Sequence, residues 1–241
     1  MCYQALPIPK KLNLKSLAMQ VDAQAVAARR QQKPNFHVFR VCMDNLILEL
    51  YEIQAVQFGS FALKSGLISP IYIDMRRIIS YPSLLKKVAK SLFSKIEKLS
   101  FNRICGVPYA AVPVTAVLAA DHNLPMLMCR KEAKTYGTKK QVEGVYTPGE
   151  TCLLIEDVIS SGASILETVT SLKKEGLHVH DVAVLVNREQ HGKERLKKEG
   201  VTLHALFTIT ELLNSLEQAG KIDQAQIAEV TAFLKNPSNF L

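Results

Sequence analysis

With 241 residues, 48 % of them hydrophobic, the chain is long enough for one α/β domain with a substantial core and a small appendage. No uninterrupted apolar span approaches bilayer length, so no membrane association is expected. A net charge of +8 would point to nucleic acid if it were spread over one face. Instead, seven of the 30 basic residues and one of the 22 acids fall within the first 40 positions; the body is nearly neutral, and no nucleic-acid partner is expected.

Residues 1–42 are basic, acid-poor and weakly periodic, with one helical pattern over Leu12–Ala28. They read as an N-terminal extension: a flexible arm, a targeting segment or translated upstream sequence, with Met43 as a usable start. Asp44 is a good N-cap for a helix placing Leu46, Leu50, Ile53 and Val56 near one face. Two short strands are expected around Lys64-Ser65-Gly66. The pattern then predicts a helix over Ser83–Leu99, a strand over Arg103–Val107, a helix over Ala110–His122 and a strand over Pro125–Cys129. Strands alternating with helices call for a parallel sheet with right-handed crossovers. Residues 130–149 break this rhythm: they are polar, basic and glycine-bearing, without a core-facing period, as functional connections often are. Further on, a strand over Asp181–Val186 ends in Asn187-Arg188. A helix (Lys193–Glu199), a strand (Val201–Phe207) and two helices (Glu211–Gln218 and Gln224–Leu234) complete the chain.

The organising stretch is Cys152–Ser164, C-L-L-I-E-D-V-I-S-S-G-A-S. Cys152–Ile155 reads as a strand buried on both faces, ending at the acid pair Glu156-Asp157. Val158 and Ile159 lead into the turn Ser160-Ser161-Gly162-Ala163-Ser164, and a helical pattern follows through Ile165, Leu166, Val169 and Leu172. Unpaired N–H groups and the positive dipole end of a first helical turn favour a phosphate. The carboxylates would repel that phosphate and instead suit sugar hydroxyls or a metal-bound water, so a phosphorylated sugar satisfies both halves. The same residues also fit a plain helix start in which Ser161 or Ser164 caps the free N–H groups.

Beyond the carboxyl ends of an open α/β sheet, where ligands bind, this order collects Val107-Pro108-Tyr109-Ala110, Arg130-Lys131, Glu156–Ser164 and Asn187-Arg188. Three of the five cysteines (Cys2, Cys42, Cys105, Cys129, Cys152) lie in apolar strand-like runs, and none forms a CxxC pair; a reducing, cytoplasmic setting fits. His178 and His180 read as surface residues rather than metal ligands, and His191 as a turn residue.

The thirteen-residue string resembles the phosphoribosyl-pyrophosphate (PRPP) signature of type I phosphoribosyltransferases. The segments F-A-L-K-S-G-L-I-S-P-I-Y-I-D, R-K-E-A-K-T-Y-G and L-V-N-R-E-Q-H-G extend the likeness to orotate phosphoribosyltransferase, especially the form found in bifunctional uridine monophosphate synthases, over about residues 44–235. No decarboxylase domain follows, so the single-function form is expected. The resemblance implies a phosphoribosyltransferase domain over residues 43–241: a central parallel sheet flanked by helices, with a small hood from the N- and C-terminal segments. It implies Mg2+-dependent transfer of ribose 5-phosphate from PRPP to N1 of orotate, giving orotidine 5'-monophosphate and pyrophosphate.

The site residues implied follow position by position. Ser160, Ser161, Gly162, Ala163 and Ser164, with Val158 and Ile159 before them, match the 5'-phosphate turn, while Glu156 and Asp157 match the ribose-binding acids. Tyr109 and Ala110 belong to the pyrophosphate loop, and Arg130, Lys131, Lys134 and Tyr136 to a loop shared across a homodimer, with Lys134 the main leaving-group stabiliser. Lys64 stands beside PRPP and orotate, Tyr72, Ile73 and Ser160 beside the pyrimidine, and Arg188 opposite its carboxylate. Lys134, Lys131 and Asp157 are the catalytic candidates; no protein metal ligand is assigned, Mg2+ being held mainly through PRPP.

Departures are Tyr136, where bacterial relatives often have His, Ala110, where they have Lys, and Ser160, where Thr is usual. Two rivals remain at this point. One is a nucleotide-sensing regulator that binds nucleic acid through its basic extension; the other is a purine phosphoribosyltransferase. Lys131, Lys134 and Arg188 favour the enzyme, and Arg188 with Lys64-Ser65-Gly66 an acidic pyrimidine.

Overall fold

Aliphatic runs alternate with helical segments through this chain, and a Ser/Gly turn joins the two after Cys152–Ile159. The computed structural model describes residues 36–63, 66–131 and 141–237. The pattern over Leu12–Ala28, together with Lys64, Ser65, Lys134 and Tyr136, lies outside the described residues.

Helix α1 spans Phe36–Glu52 and leads into an antiparallel hairpin of β1 (Val56–Ala62) and β2 (Ile68–Ile73), the two strands expected around Lys64-Ser65-Gly66. Asp44 is not the N-cap. Neither Gly nor Pro interrupts residues 36–44, so the helix starts earlier, and Asp44 Oδ1 instead accepts a hydrogen bond from Ser215 Oγ at 2.6 Å. A 3₁₀ turn over Met75–Ser80, not foreseen, joins the hairpin to α2 (Pro82–Ile96), where Pro82 occupies the favoured first turn.

β3 (Arg103–Gly106), α3 (Val112–His122) and β4 (Met126–Cys129) follow as expected, each shortened by one or two residues. The polar stretch 130–149 contains a two-residue strand, β5 (Val142–Glu143), antiparallel to β4. This edge strand is too short for any sequence period. Then come β6 (Cys152–Ile159), α4 (Ala163–Lys174), β7 (Asp181–Asn187), α5 (Gly192–Lys198), β8 (Thr202–Thr208), α6 (Ile209–Gln218) and α7 (Gln224–Lys235). The main sheet runs β5-β4-β3-β6-β7-β8, parallel except for β5, and so bears out the expected α/β class.

β6 is buried on both faces, as its composition demands. Leu153 and Ile155 enter the core shared with Ile104, Ala183 and helices α2 and α3, whereas Cys152 and Leu154 enter the opposite core with Val182, Val184 and the apolar faces of α4 and α5. Each fully buried Leu or Ile contributes roughly 1.5–3 kcal/mol, so this strand is the anchor to which both layers are tied. The hood elements join the first core through Leu46, Ile47 and Leu50 of α1, Val56 and Ile71 of the hairpin, Leu212 and Leu216 of α6, and Val230 of α7. Capping boxes at Thr208–Glu211 and Asp223–Gln226 fix the starts of α6 and α7.

Candidate active site

Parallel strands point their carboxyl ends the same way, so β3, β4, β6 and β7 deliver their following loops to one edge of the sheet. Of the four groups expected from sequence, Val107-Pro108, Arg130-Lys131 and Ser164 border one cavity there, and Asn187-Arg188 does not line it. A cavity of about 460 Å³ is lined by Val107 and Pro108 after β3, Arg130 and Lys131 after β4, and Ser164 and Thr168 of α4.

The strand expectation for Cys152–Ile155 needs correcting: β6 continues to Ile159, so Glu156 and Asp157 lie within it. β3 stops pairing at Gly106 opposite Ile155, but β7 continues alongside, pairing Glu156 with Val184, Val158 with Val186 and Ile159 with Asn187. One remaining partner is enough to keep the strand extended past its buried section. Glu156 is only 5 % exposed. Its Oε1 accepts from the Asp157 N–H at 3.0 Å and its Oε2 from Ser164 Oγ at 2.9 Å. Burial, with the neighbouring Asp157 carboxylate, pushes the Glu156 carboxyl well above the usual carboxylate range. Asp157 is half-buried, so the two acids are unlike: one is wired into the protein and the other lies nearer solvent.

The turn after β6 is built for close approach. Gly162 is the N-cap of α4 at φ 74°, a left-handed conformation, and no side chain caps the helix. Ser161 and Ser164 are therefore not caps, and the N–H groups of the first turn face the sheet edge without a capping acceptor. Ser160 and Ser161 are exposed, and Val158 and Ile159 carry the backbone into the turn. Against it packs Gly192 at the start of α5, where a Cβ would run into the Ser160 carbonyl oxygen and the Ile159 side chain. Gly192 was not anticipated; its sequence signal is only a glycine beside the turn residue His191, which has φ 53° as expected.

The loop after β3 turns at Pro108–Tyr109, a cis peptide, through half-buried Ala110 into α3. Lys131 Nζ lies 5.3 Å from the centroid of the Tyr109 ring, within range of a cation–π contact. Arg130 Nε donates to Glu143 Oε1 at 3.0 Å, and its backbone N–H to the Gln141 carbonyl at 2.9 Å. The short β5 thus holds the root of the loop that carries Lys134.

Arg188 follows β7. Its backbone N–H donates to the Ile159 carbonyl at 3.0 Å, fixing it beside the turn after β6, and its Nε is buried with no hydrogen-bond partner among the described residues. Burial holds the guanidinium below its ordinary value. An unpartnered buried donor is costly and leaves Nε open to an acceptor. On the hairpin, Tyr72 stacks on Phe61 with centroids 5.4 Å apart, and its hydroxyl accepts from Arg76 Nη2 at 3.1 Å. Arg76 is itself gripped by Asp74 through Nε at 2.6 Å and Nη2 at 2.9 Å, which holds the Asp74 carboxyl below the usual carboxylate range. Ile73, half-buried, packs onto the core. His178 and His180 are exposed, with rings 6.0 Å apart, and no metal-ligating group of three or more is found among the described residues.

Residues 77–211 match the family model described as phosphoribosyl transferase domain. The chain is 48 % identical over 195 residues to uridine 5'-monophosphate synthase of Bos taurus, covering 80 % of this chain and 41 % of the cattle protein. It is 40 % identical over 190 residues to orotate phosphoribosyltransferase of Caenorhabditis elegans, covering 78 % of this chain and 84 % of the worm protein. Among solved structures, uridine monophosphate synthase of Leishmania donovani aligns with a TM-score of 0.75 at 35 % identity, over 82 % of this chain and 43 % of that one. The chain spans about two fifths of the length of the synthases it matches. It belongs to the phosphoribosyltransferase family. Within that family it is a member of the orotate phosphoribosyltransferase group, which it shares with the worm enzyme over most of that enzyme's length.

Proposed function

We propose that the chain transfers ribose 5-phosphate from PRPP to N1 of orotate, releasing pyrophosphate and forming orotidine 5'-monophosphate for pyrimidine nucleotide synthesis. The observation that carries this reading is Arg188, a half-buried arginine whose buried Nε has no partner among the described residues, beside an uncapped helix start. The uncapped turn suits the 5'-phosphate, and the guanidinium suits the carboxylate that distinguishes orotate from uracil and from the purines. Tyr72 and Ile73 form a wall for the ring, and Ser160 stands between the two halves. The relatives' names point the same way.

As pyrophosphate leaves, the anomeric carbon gains positive charge and the leaving group negative charge, so catalysis rests on placement and charge stabilisation rather than a covalent nucleophile. Asp157 holds the ribose hydroxyls beside the electron-poor carbon, and Glu156 holds Ser164 in place. Arg130, Lys131, Lys134 and Tyr136 receive the pyrophosphate with Tyr109 and Ala110, and Lys134 stabilises it most. Lys64 approaches PRPP and orotate from the hairpin turn. Mg2+ fits this donor set: it takes one or two carboxylates and completes its shell with phosphate oxygens and water, and it would neutralise the pyrophosphate. Asp157 is the protein group suited to reach it.

Two copies complete the site, each lending its 130–140 loop to the other; exposed Tyr109, Met128 and Val145 lie around the loop's base and suit such a contact. A reducing, cytoplasmic setting suits the buried free thiols of Cys105, Cys129 and Cys152. No helix among the described residues is long and apolar enough to cross a membrane. The catalytic domain is assigned to residues 43–241, with α1 entering it across that boundary from Phe36. The test is orotate consumption followed by ultraviolet absorbance. Loss of absorbance only with PRPP and Mg2+ is expected, and an inert, folded, dimeric chain would exclude the activity.

A further inference from the structure

The residue after Arg188 has an arrangement that the proposed reaction does not use. Glu189 adopts φ 56°, a left-handed conformation uncommon for a residue other than Gly, Asn or Asp. Its own N–H donates to Asn187 Oδ1 at 2.9 Å, closing a tight turn around Arg188. Its side chain turns away from Arg188, and Oε2 accepts from both the Thr210 N–H at 3.1 Å and Thr210 Oγ1 at 2.5 Å. Thr210 lies in the first turn of α6, where a carboxylate is favoured by the free N–H groups and the dipole. α6 is in turn tied to α1 through Ser215 and Asp44. An exposed glutamate held in an uncommon backbone conformation by two hydrogen bonds to another element is doing more than solvating a loop.

We propose that Glu189 is a positioning residue for base recognition: by latching the Arg188 turn onto the start of α6, it fixes the guanidinium that reads the carboxylate of the acceptor base. The inference rests on the reading of Arg188 as the orotate arginine. Arg188 is fixed from one side by the Ile159 carbonyl. The Glu189 latch supplies the second anchor, and without it the backbone at 188–189 relaxes and the fork loses its register with a planar, bidentate acceptor. The PRPP half, formed by the β6 turn, has its own supports and does not depend on the latch.

The experiment compares the full chain with Glu189→Gln, Glu189→Asn and Thr210→Val, measuring initial rates with orotate varied at saturating PRPP and the reverse. Glutamine keeps the length and one acceptor oxygen. Asparagine tolerates the left-handed backbone but is one methylene too short to reach Thr210. The Asn variant is expected to raise the orotate KM about tenfold, with the PRPP KM and kcat changing less than about twofold. The Gln variant should recover most of the loss, and Thr210→Val should raise the orotate KM by about threefold. A folded Asn variant with an unchanged orotate KM overturns the inference, as does a matched rise in both KM values or a Gln variant no better than Asn. A parent chain that leaves orotate untouched sinks the enzymatic reading and the inference with it; an active parent with an indifferent Asn variant sinks the inference alone.

Discussion

The proposed phosphate side and the proposed base side of this site are constructed differently. The phosphate side is made of backbone: a strand buried on both faces, a left-handed glycine and an uncapped helix, all within Cys152–Ser164. The base side is made of side chains held from a distance, with Tyr72 braced by Arg76 and Asp74, and Arg188 set in a turn latched to Thr210. A site built from main chain is robust to nearby side-chain changes but intolerant of added atoms. One built from relayed side chains should lose affinity for its own ligand, one contact at a time.

The largest effect expected is on the leaving group. Lys134→Ala should lower kcat by about 10²–10³-fold, because the lost donor acts where charge develops, and orotate consumption at saturating substrates measures it. Arg188→Ala should come next, with orotate kcat/KM falling by about tenfold to a hundredfold, while Arg188→Lys recovers little because an ammonium cannot replace the fork.

Gly192→Ala probes the backbone half. Its Cβ has nowhere to go against the Ser160 carbonyl and Ile159, so a loss of about 1–3 kcal/mol in denaturant unfolding is expected, with a raised PRPP KM. Unchanged stability would show that the turn yields easily. Glu156→Gln should act in the opposite direction. The folded carboxyl has a raised pKa, so above the ordinary carboxylate range the unfolded chain gives up a proton that the folded chain keeps, and parental stability falls with rising pH until the raised value is passed. The Gln variant lacks this slope, so its melting temperature relative to the parent should climb from pH 4 to neutrality; a flat difference would show Glu156 ionised in the fold. The smallest effect is expected from Arg76→Met, which frees the exposed edge of Tyr72 and should raise the orotate KM by about two- to threefold.

The same contrast explains what could be read beforehand. β6, its turn and α4 were legible because aliphatic residues, small residues and helical spacing follow each other without a gap, and only local chemistry decides their structure. Sequence alone puts the acid pair at the strand's end rather than within it, since the continued pairing with β7 is a tertiary fact. Asp44 reads as a cap in sequence because its partner, Ser215, lies in a remote helix. Likewise Glu189 meets Thr210, and Arg130 meets Glu143, only once the sheet has brought their loops together. Arg188 itself was legible through its neighbours in sequence, whereas its missing Nε partner required the folded chain.

The most direct test is to titrate PRPP with Mg2+, and orotate without PRPP so that no turnover occurs, separately against the parent and Arg188→Ala in a calorimeter. PRPP affinity is expected to stay within about twofold of the parent, while orotate binding is weakened at least tenfold. If both ligands are lost together from a folded protein, the two halves are not separate and the division between a backbone-built phosphate side and a side-chain-built base side is wrong.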